Sequence, residues 1–112
     1  MVVNWNRREL LRRALDSLMK QQGVRLEIIL VDNGSTDGSV EMVEAEFLAY
    51  NPSPDQPPSA SRFPLTLIRN THNRGFCAAN NQGIAAARFP WVALLNNDAE
   101  AAPGWLHALC EA

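Results

Sequence analysis

Four short apolar runs, each breaking off into a cluster of Asn and Asp, constrain this chain more than any other feature. Val2-Val3 runs into Asn4-Trp5-Asn6 and Leu26 to Val31 into Asp32-Asn33-Gly34. Leu65 to Ile68 leads to Asn70 to Asn73, and Trp91 to Leu95 to Asn96-Asn97-Asp98. The second run is too apolar for alternation and rich in β-branched residues, as a parallel strand covered on both faces is. Helical patterns fill the gaps. Asn6 and Glu9 stand at capping-box spacing ahead of Leu10, Leu11, Ala14, Leu15, Leu18 and Met19 on one face. Gly23, just past Lys20, is the expected stop of that helix. A second helix, about Ser39 to Tyr50, turns Val40, Val43 and Phe47 inward and Glu41, Glu44 and Glu46 outward. Phe76 to Arg88 reads as an Ala-rich third helix, and Pro103 marks the start of a last one.

Strands that alternate with helices need crossover connections. The expected fold is therefore α/β: an open, mostly parallel, Rossmann-like sheet of four strands flanked by helices on both faces. Sheets of this kind take ligands outside the carboxyl ends of their strands, and all four polar clusters fall there. Pattern alone sets the fold class and the location of the site; it does not name the ligand.

Composition narrows the partners. With 112 residues the chain is read as a single domain. A net charge of -2 excludes a sequence-independent nucleic-acid binder, which needs a basic face. Any phosphate must instead be met by helix N-termini, a few cations or a metal. No apolar stretch approaches a membrane span and no leader precedes the first element. Cys77 and Cys110 lack zinc or redox spacing and are read as buried apolar residues. The expected location is the cytoplasm, with the inner membrane face open to the full protein. Asn51 to Pro64, rich in proline, is read as a surface loop inside one domain.

Each cluster carries two readings. Asp32 is a turn carboxylate or an acceptor for an N–H of a ligand, and Asp37 a helix cap. Asn96-Asn97-Asp98, with Glu100 behind it, is a plain turn or a source of hard oxygen ligands for Mg²⁺ or Mn²⁺, which take one or two carboxylates plus substrate phosphates. Asn73-Arg74-Gly75 presents a helix N-terminus to an anion, or Gly75 lets the helix approach the sheet. Trp5 can stack on a base, whereas Trp91 and Trp105 read as packing residues; His72 and His107, with no partners at metal or triad spacing, read as a loop and a helix-face histidine. Arg7 and Arg8 are solvated arginines or phosphate contacts. A signalling domain on a flavodoxin-like sheet would want paired acids near the first strand and a late Lys; neither occurs.

Val2 to Arg7, Val31 to Ser39, Asn73 to Phe76 with Asn80 to Gly83, and Leu94 to Asp98 together resemble family 2 glycosyltransferases, most closely a rhamnosyltransferase-like branch. The motifs stand in the family's order over nearly the whole chain. The resemblance implies a GT-A fold and an inverting transfer from a nucleoside-diphosphate sugar to a saccharide or lipid-linked acceptor. It implies that Asn4, Trp5 and Asn6 lie against the donor base, that Asp32 recognises base or ribose, and that Asn81 borders the nucleotide. Asn96, Asn97 and Asp98 match the DXD-type motif, with Asp98 as the ligand of Mg²⁺ or Mn²⁺; Asn96 stands where that motif has its first acid. Residues 1–112 would then form a nucleotide-sugar-binding domain that stops before the acceptor half. In that case no catalytic base is expected here, since Glu100 sits on the metal side and Glu111 in the terminal helix. The unfinished sheet is expected to favour self-association.

Overall fold

The structure, a computed structural model, describes residues 1–50 and 63–111. Strand β1 spans Val2–Asn4, β2 Ile28–Asp32 and β3 Leu65–Arg69. They form a parallel sheet in the order β1-β2-β3. Helices α1 (Arg8–Met19), α2 (Ser39–Glu46), α3 (Phe76–Ala86) and α4 (Trp105–Glu111) accompany them, with a short 3-10 turn at Leu48–Tyr50. The α/β class and parallel sheet expected from the sequence are observed. Most of the Pro-rich segment, residues 51–62, lies outside the described residues.

All five residues of β2 are buried, which explains why its sequence shows no alternation. On one face Val2, Ile28, Leu30 and Leu65 join Leu11, Leu15 and Leu18 of α1 and Met42 and Val43 of α2 in a single apolar core. Each such side chain contributes about 1.5–3 kcal/mol by leaving water. On the other face α3 lies against the sheet at Gly83, where a Cβ would collide with the Met1 side chain and come within 3.5 Å of Val31 Cγ2. The close approach expected of Gly75 thus belongs to Gly83; a Cβ on Gly75 would meet nothing within 4 Å.

Several local expectations need correction. Trp91 to Leu95 forms no strand. It runs extended beside β1, tied by the Met1 main-chain nitrogen donating to Ala93 O (2.7 Å) and Leu95 N–H donating to Met1 O (3.0 Å). Two bonds to one residue do not make a ladder, and Trp91 is 87% exposed instead of packed. Helix α2 ends at Glu46 and tightens into the 3-10 turn, and α3 ends at Ala86. Helix α1 stops at Met19, before Gly23, and Leu10 is exposed.

The capping box is also absent. Asn6 turns away with φ 51°, and Asp37 serves both helices instead. Its Oδ2 accepts Arg8 N–H of α1 (3.0 Å), while Oδ1 accepts Ser39 N–H of α2 (3.0 Å) and the Ser39 hydroxyl. Burial pushes this carboxyl up, but those donors outweigh it and hold Asp37 below the usual carboxylate range. The cap expected of Asp37 is real, and it is shared.

The segment after Asp98 folds back onto the end of α1. Ser17 Oγ accepts Ala101 N–H (2.9 Å), and Gln21 donates to Ala102 O (2.7 Å) while accepting Leu106 N–H (3.0 Å). His107 lies on the face of α4, where Nδ1 meets Gly23 O (3.1 Å) and Nε2 meets Glu111 (2.8 Å). The Gly23 carbonyl and the Glu111 charge raise its pKa.

Candidate donor-binding site

Register brings the polar strand ends level. Asn4 pairs with Asp32 across β1 and β2, and Asp32 with Arg69 across β2 and β3. Two further main-chain bonds extend the ladder beyond the strands: Asn33 N–H to Asn4 O and Asn70 N–H to Asp32 O, both 2.8 Å. The first three clusters therefore meet along one sheet edge, and Asn97 joins the fourth to it through Asn4.

Asp32 is 2% exposed and Asn4 0%. Asn4 Nδ2 donates to Asp32 Oδ1 (3.0 Å) and to Ser35 Oγ (3.2 Å), and Asn4 Oδ1 accepts Asn97 Nδ2 (2.9 Å). Ser35 donates its hydroxyl to Asp32 Oδ1 (2.7 Å) and its N–H to Asp32 Oδ2 (2.9 Å). The same hydroxyl oxygen accepts Asn6 N–H (2.9 Å), and Asn6 Oδ1 accepts Thr36 N–H (2.7 Å). A buried carboxylate persists only when met by several donors, and here three are present. A carboxylate at a strand tip is expected to lie on the exposed edge of the sheet; Asp32 is buried instead.

Asn33, 3% exposed, ties the loop after β3 to β2. Its Oδ1 accepts Asn70 Nδ2 (2.9 Å) and Arg74 N–H (3.4 Å), and its Nδ2 donates to Gly75 O (3.2 Å). Asn70 and Gln82 exchange reciprocal amide bonds of 2.8 and 2.9 Å, which anchor α3. Gly34 completes the junction. At φ +81° its missing Cβ would lie 2.8 Å from His72 Cα, so only glycine lets the two loops touch.

The exposed members frame this buried centre. Trp5 is 52% exposed, and Asn81 stands exposed on α3. Asn96 and Asp98 are exposed and Asn97 half-buried, in a turn closed by Ala99 N–H donating to Asn96 O (3.1 Å). Arg7 Nη1 lies 4.0 Å from Asp98 Oδ2. No group of three or more His, Cys, Asp or Glu gathers at metal-holding distance among the described residues. Cys77 and Cys110 are exposed free thiols, against expectation.

The structure thus joins Asn4, Asn6, Asp32 and Asn97 in one network. Ser35, Asn33, Asn70 and Gln82 are residues to which the sequence reading gave no role. Their polar type was visible in the motifs; their partners, 12 to 42 positions away for the amides, were not.

A helix-covered parallel sheet with polar groups at its strand tips defines an α/β domain, and its solved structural neighbours are glycosyltransferases. The sequence profile of Glycosyl transferase family 2 matches residues 1–112, and the chain belongs to that family. It is 33% identical over 110 residues to the succinoglycan biosynthesis protein ExoO of Rhizobium meliloti, covering 98% of this chain and 28% of that protein. It resembles the Pyrobaculum calidifontis mannosyltransferase PcManGT, solved with GDP-Man and Mn²⁺, at 30% identity and TM-score 0.73, covering 88% of this chain and 26% of that one. It shares its fold with S. aureus TarS, solved with UDP, at 20% identity and TM-score 0.79 over 99% of this chain and 30% of that one. The chain spans about a third or less of the length of these proteins.

Removing the buried carboxylate leaves the Asn4 amide and the Ser35 N–H without their acceptor. Asp32→Ala is expected to lower unfolding free energy by about 1–3 kcal/mol, read from the urea midpoint. An unchanged midpoint would show that the network contributes nothing to the fold.

Proposed function

We propose that residues 1–112 form the donor-binding part of an inverting glycosyltransferase that uses a nucleoside-diphosphate sugar. The observation that carries this reading is the convergence of three polar strand ends and the Asn96-Asn97-Asp98 turn on one edge, with a buried carboxylate at the centre and an exposed one at the rim. Asp32 Oδ2 accepts one bond from Ser35 and, as a carboxylate oxygen, has capacity for another, which suits the N–H of a nucleobase or a ribose hydroxyl. Trp5 and Asn6 lie against the base, with Asn4 behind them. Asn81 borders the nucleotide from α3, and Asn96, Asn97 and Asp98 take the diphosphate end.

A lone exposed carboxylate beside two carboxamides fits Mg²⁺ or Mn²⁺, which need one or two protein carboxylates when phosphates complete the shell. Asp98 is the residue that would hold the ion, and the ion would supply Lewis-acid neutralisation of the departing diphosphate. Arg7, beside Asp98, offers a second positive charge at the same place. The metal-bound PcManGT structure supports this assignment.

The acceptor, a saccharide or a lipid-linked one, and the general base that inversion needs are assigned to sequence outside residues 1–112. Glu111 is engaged by His107 on α4, and Glu100 is two residues from Asp98. No helix among the described residues is long and apolar enough to cross a membrane.

Phe89, Trp91, Val92 and Leu109 line a mainly apolar cavity of about 660 Å³. Trp91 and Leu94 are 87% and 53% exposed. Apolar surface of this extent favours association with a second copy in the isolated chain. Sedimentation equilibrium is expected to show dimers that Trp91→Lys dissociates; a monomer in both cases would end that proposal.

The metal assignment is tested by titrating UDP and GDP with and without Mn²⁺. Removing Mn²⁺, or Asp98→Ala, is expected to weaken binding by about 1.5–3 kcal/mol, the scale for a charged partner. Equal affinity in all three cases would remove Asp98 from the metal role.

A further inference from the structure

Among the described residues the carboxamide of Asn4 bonds both Asp32 and Asn97, at the two ends of the proposed donor site, and its orientation is forced. Ionised Asp32 accepts hydrogen bonds and donates none. The atom of Asn4 facing Asp32 Oδ1 must therefore be Nδ2, as observed at 3.0 Å. Asn4 Oδ1 then has to face the other way, where it requires a donor. Asn97 meets it with Nδ2 at 2.9 Å. That in turn commits the Asn97 amide nitrogen inward and leaves its Oδ1, an acceptor and a hard oxygen, for the ligand side next to Asp98. At 0% exposure Asn4 has no water to replace either partner, so neither end can reverse alone.

We propose that Asn4 is a positioning residue through which the charge of Asp32 sets the orientation of Asn97, so that the base end and the diphosphate end of the donor are recognised together. This rests on the donor-site reading for its ligand, though the relay itself exists in the free protein. It assigns separate parts to the three asparagines. Asn4 acts through others, Asn97 presents an oxygen, and Asn96 is exposed and outside the relay. It also explains how a site with Asn at two of the three motif positions keeps an acceptor beside Asp98: the distant carboxylate on β2 holds the Asn97 amide in the required sense.

The relay is read without ligand from the side-chain amide signals of Asn97 in ¹H–¹⁵N spectra. Asp32→Asn, nearly the same shape but able to present either an oxygen or an NH₂, is expected to shift or split the Asn97 signals. In an Asn4→Ser background the same change is expected to leave them in place, since a hydroxyl cannot span both partners. Asn97 signals indifferent to Asp32→Asn with Asn4 intact would overturn the proposal. If Asp32→Asn fails to fold, Asn97→Ala in the half-buried turn gives the reverse measurement. The Asn4 carboxamide and Ser35 N–H signals must then move, and their staying fixed is the contrary result. Titration with Mn²⁺ and UDP or GDP adds a binding readout that a merely structural residue would not move. Asp32→Asn and Asn97→Ala are expected to be non-additive by about fivefold, the scale of contacting residues, and additive once Asn4 is Ser. Additivity with Asn4 intact would count against the relay. If the spectra show the relay and neither nucleotide binds, the donor-site reading falls while the relay stands.

Discussion

Asp32 sits at the tip of the central strand, 2% exposed, and a carboxylate in that position costs several kcal/mol unless donors surround it. Meeting that requirement organises the edge. Asn4 comes from β1, Ser35 from the turn after β2, and Asn97 from the far end of the chain to complete Asn4. Ser35 in turn holds Asn6 and draws the β1–α1 loop across. The exposed groups Trp5, Asn81, Asn96 and Asp98 thus surround a buried, hydrogen-bonded centre.

The layers follow from the same sheet. Val2 of β1 and Ile28 and Leu30 of β2 feed the core against α1 and α2, and Gly83 lets α3 cover the opposite face. Asp37 caps α1 and α2 together, so the two helices on one face start from the same carboxylate. Arg12 then ties them further along, reaching Glu46 at 2.7–3.0 Å. The helix N-termini are thereby held at the edge where the polar strand ends lie, and Arg7 is carried to within 4.0 Å of Asp98.

Much of this was legible before any coordinates. Unbroken apolarity in Leu26 to Val31 pointed to a covered parallel strand, and Val40, Val43 and Phe47 face inward as their spacing required. The clustering of Asn and Asp after each run located the edge. Burial at that edge was not legible, because a polar residue at a strand tip is as compatible with solvent as with a satisfied network; Asp32 was read as exposed for that reason. Likewise Asn6 matched a capping box by spacing, yet Thr36 N–H, thirty residues away, claimed its oxygen. Trp91 to Leu95 has the composition of a strand, and its two bonds to Met1 follow β1, but a strand needs a ladder of partners that composition alone does not supply. Cys77, Cys110 and Trp91 show the same limit: apolar type predicts burial only where another element covers the residue.

The central claim is that the polar edge receives a nucleoside diphosphate, with a divalent ion at Asp98. Paramagnetic Mn²⁺ added to the ¹⁵N-labelled chain with UDP or GDP tests it most directly. The account predicts selective broadening of Asn96, Asn97, Asp98 and Arg7 backbone signals, with unbroadened shifts at Ser35 and Asn81 from the nucleotide. Broadening centred elsewhere, or none with either nucleotide at saturating concentration, would contradict it.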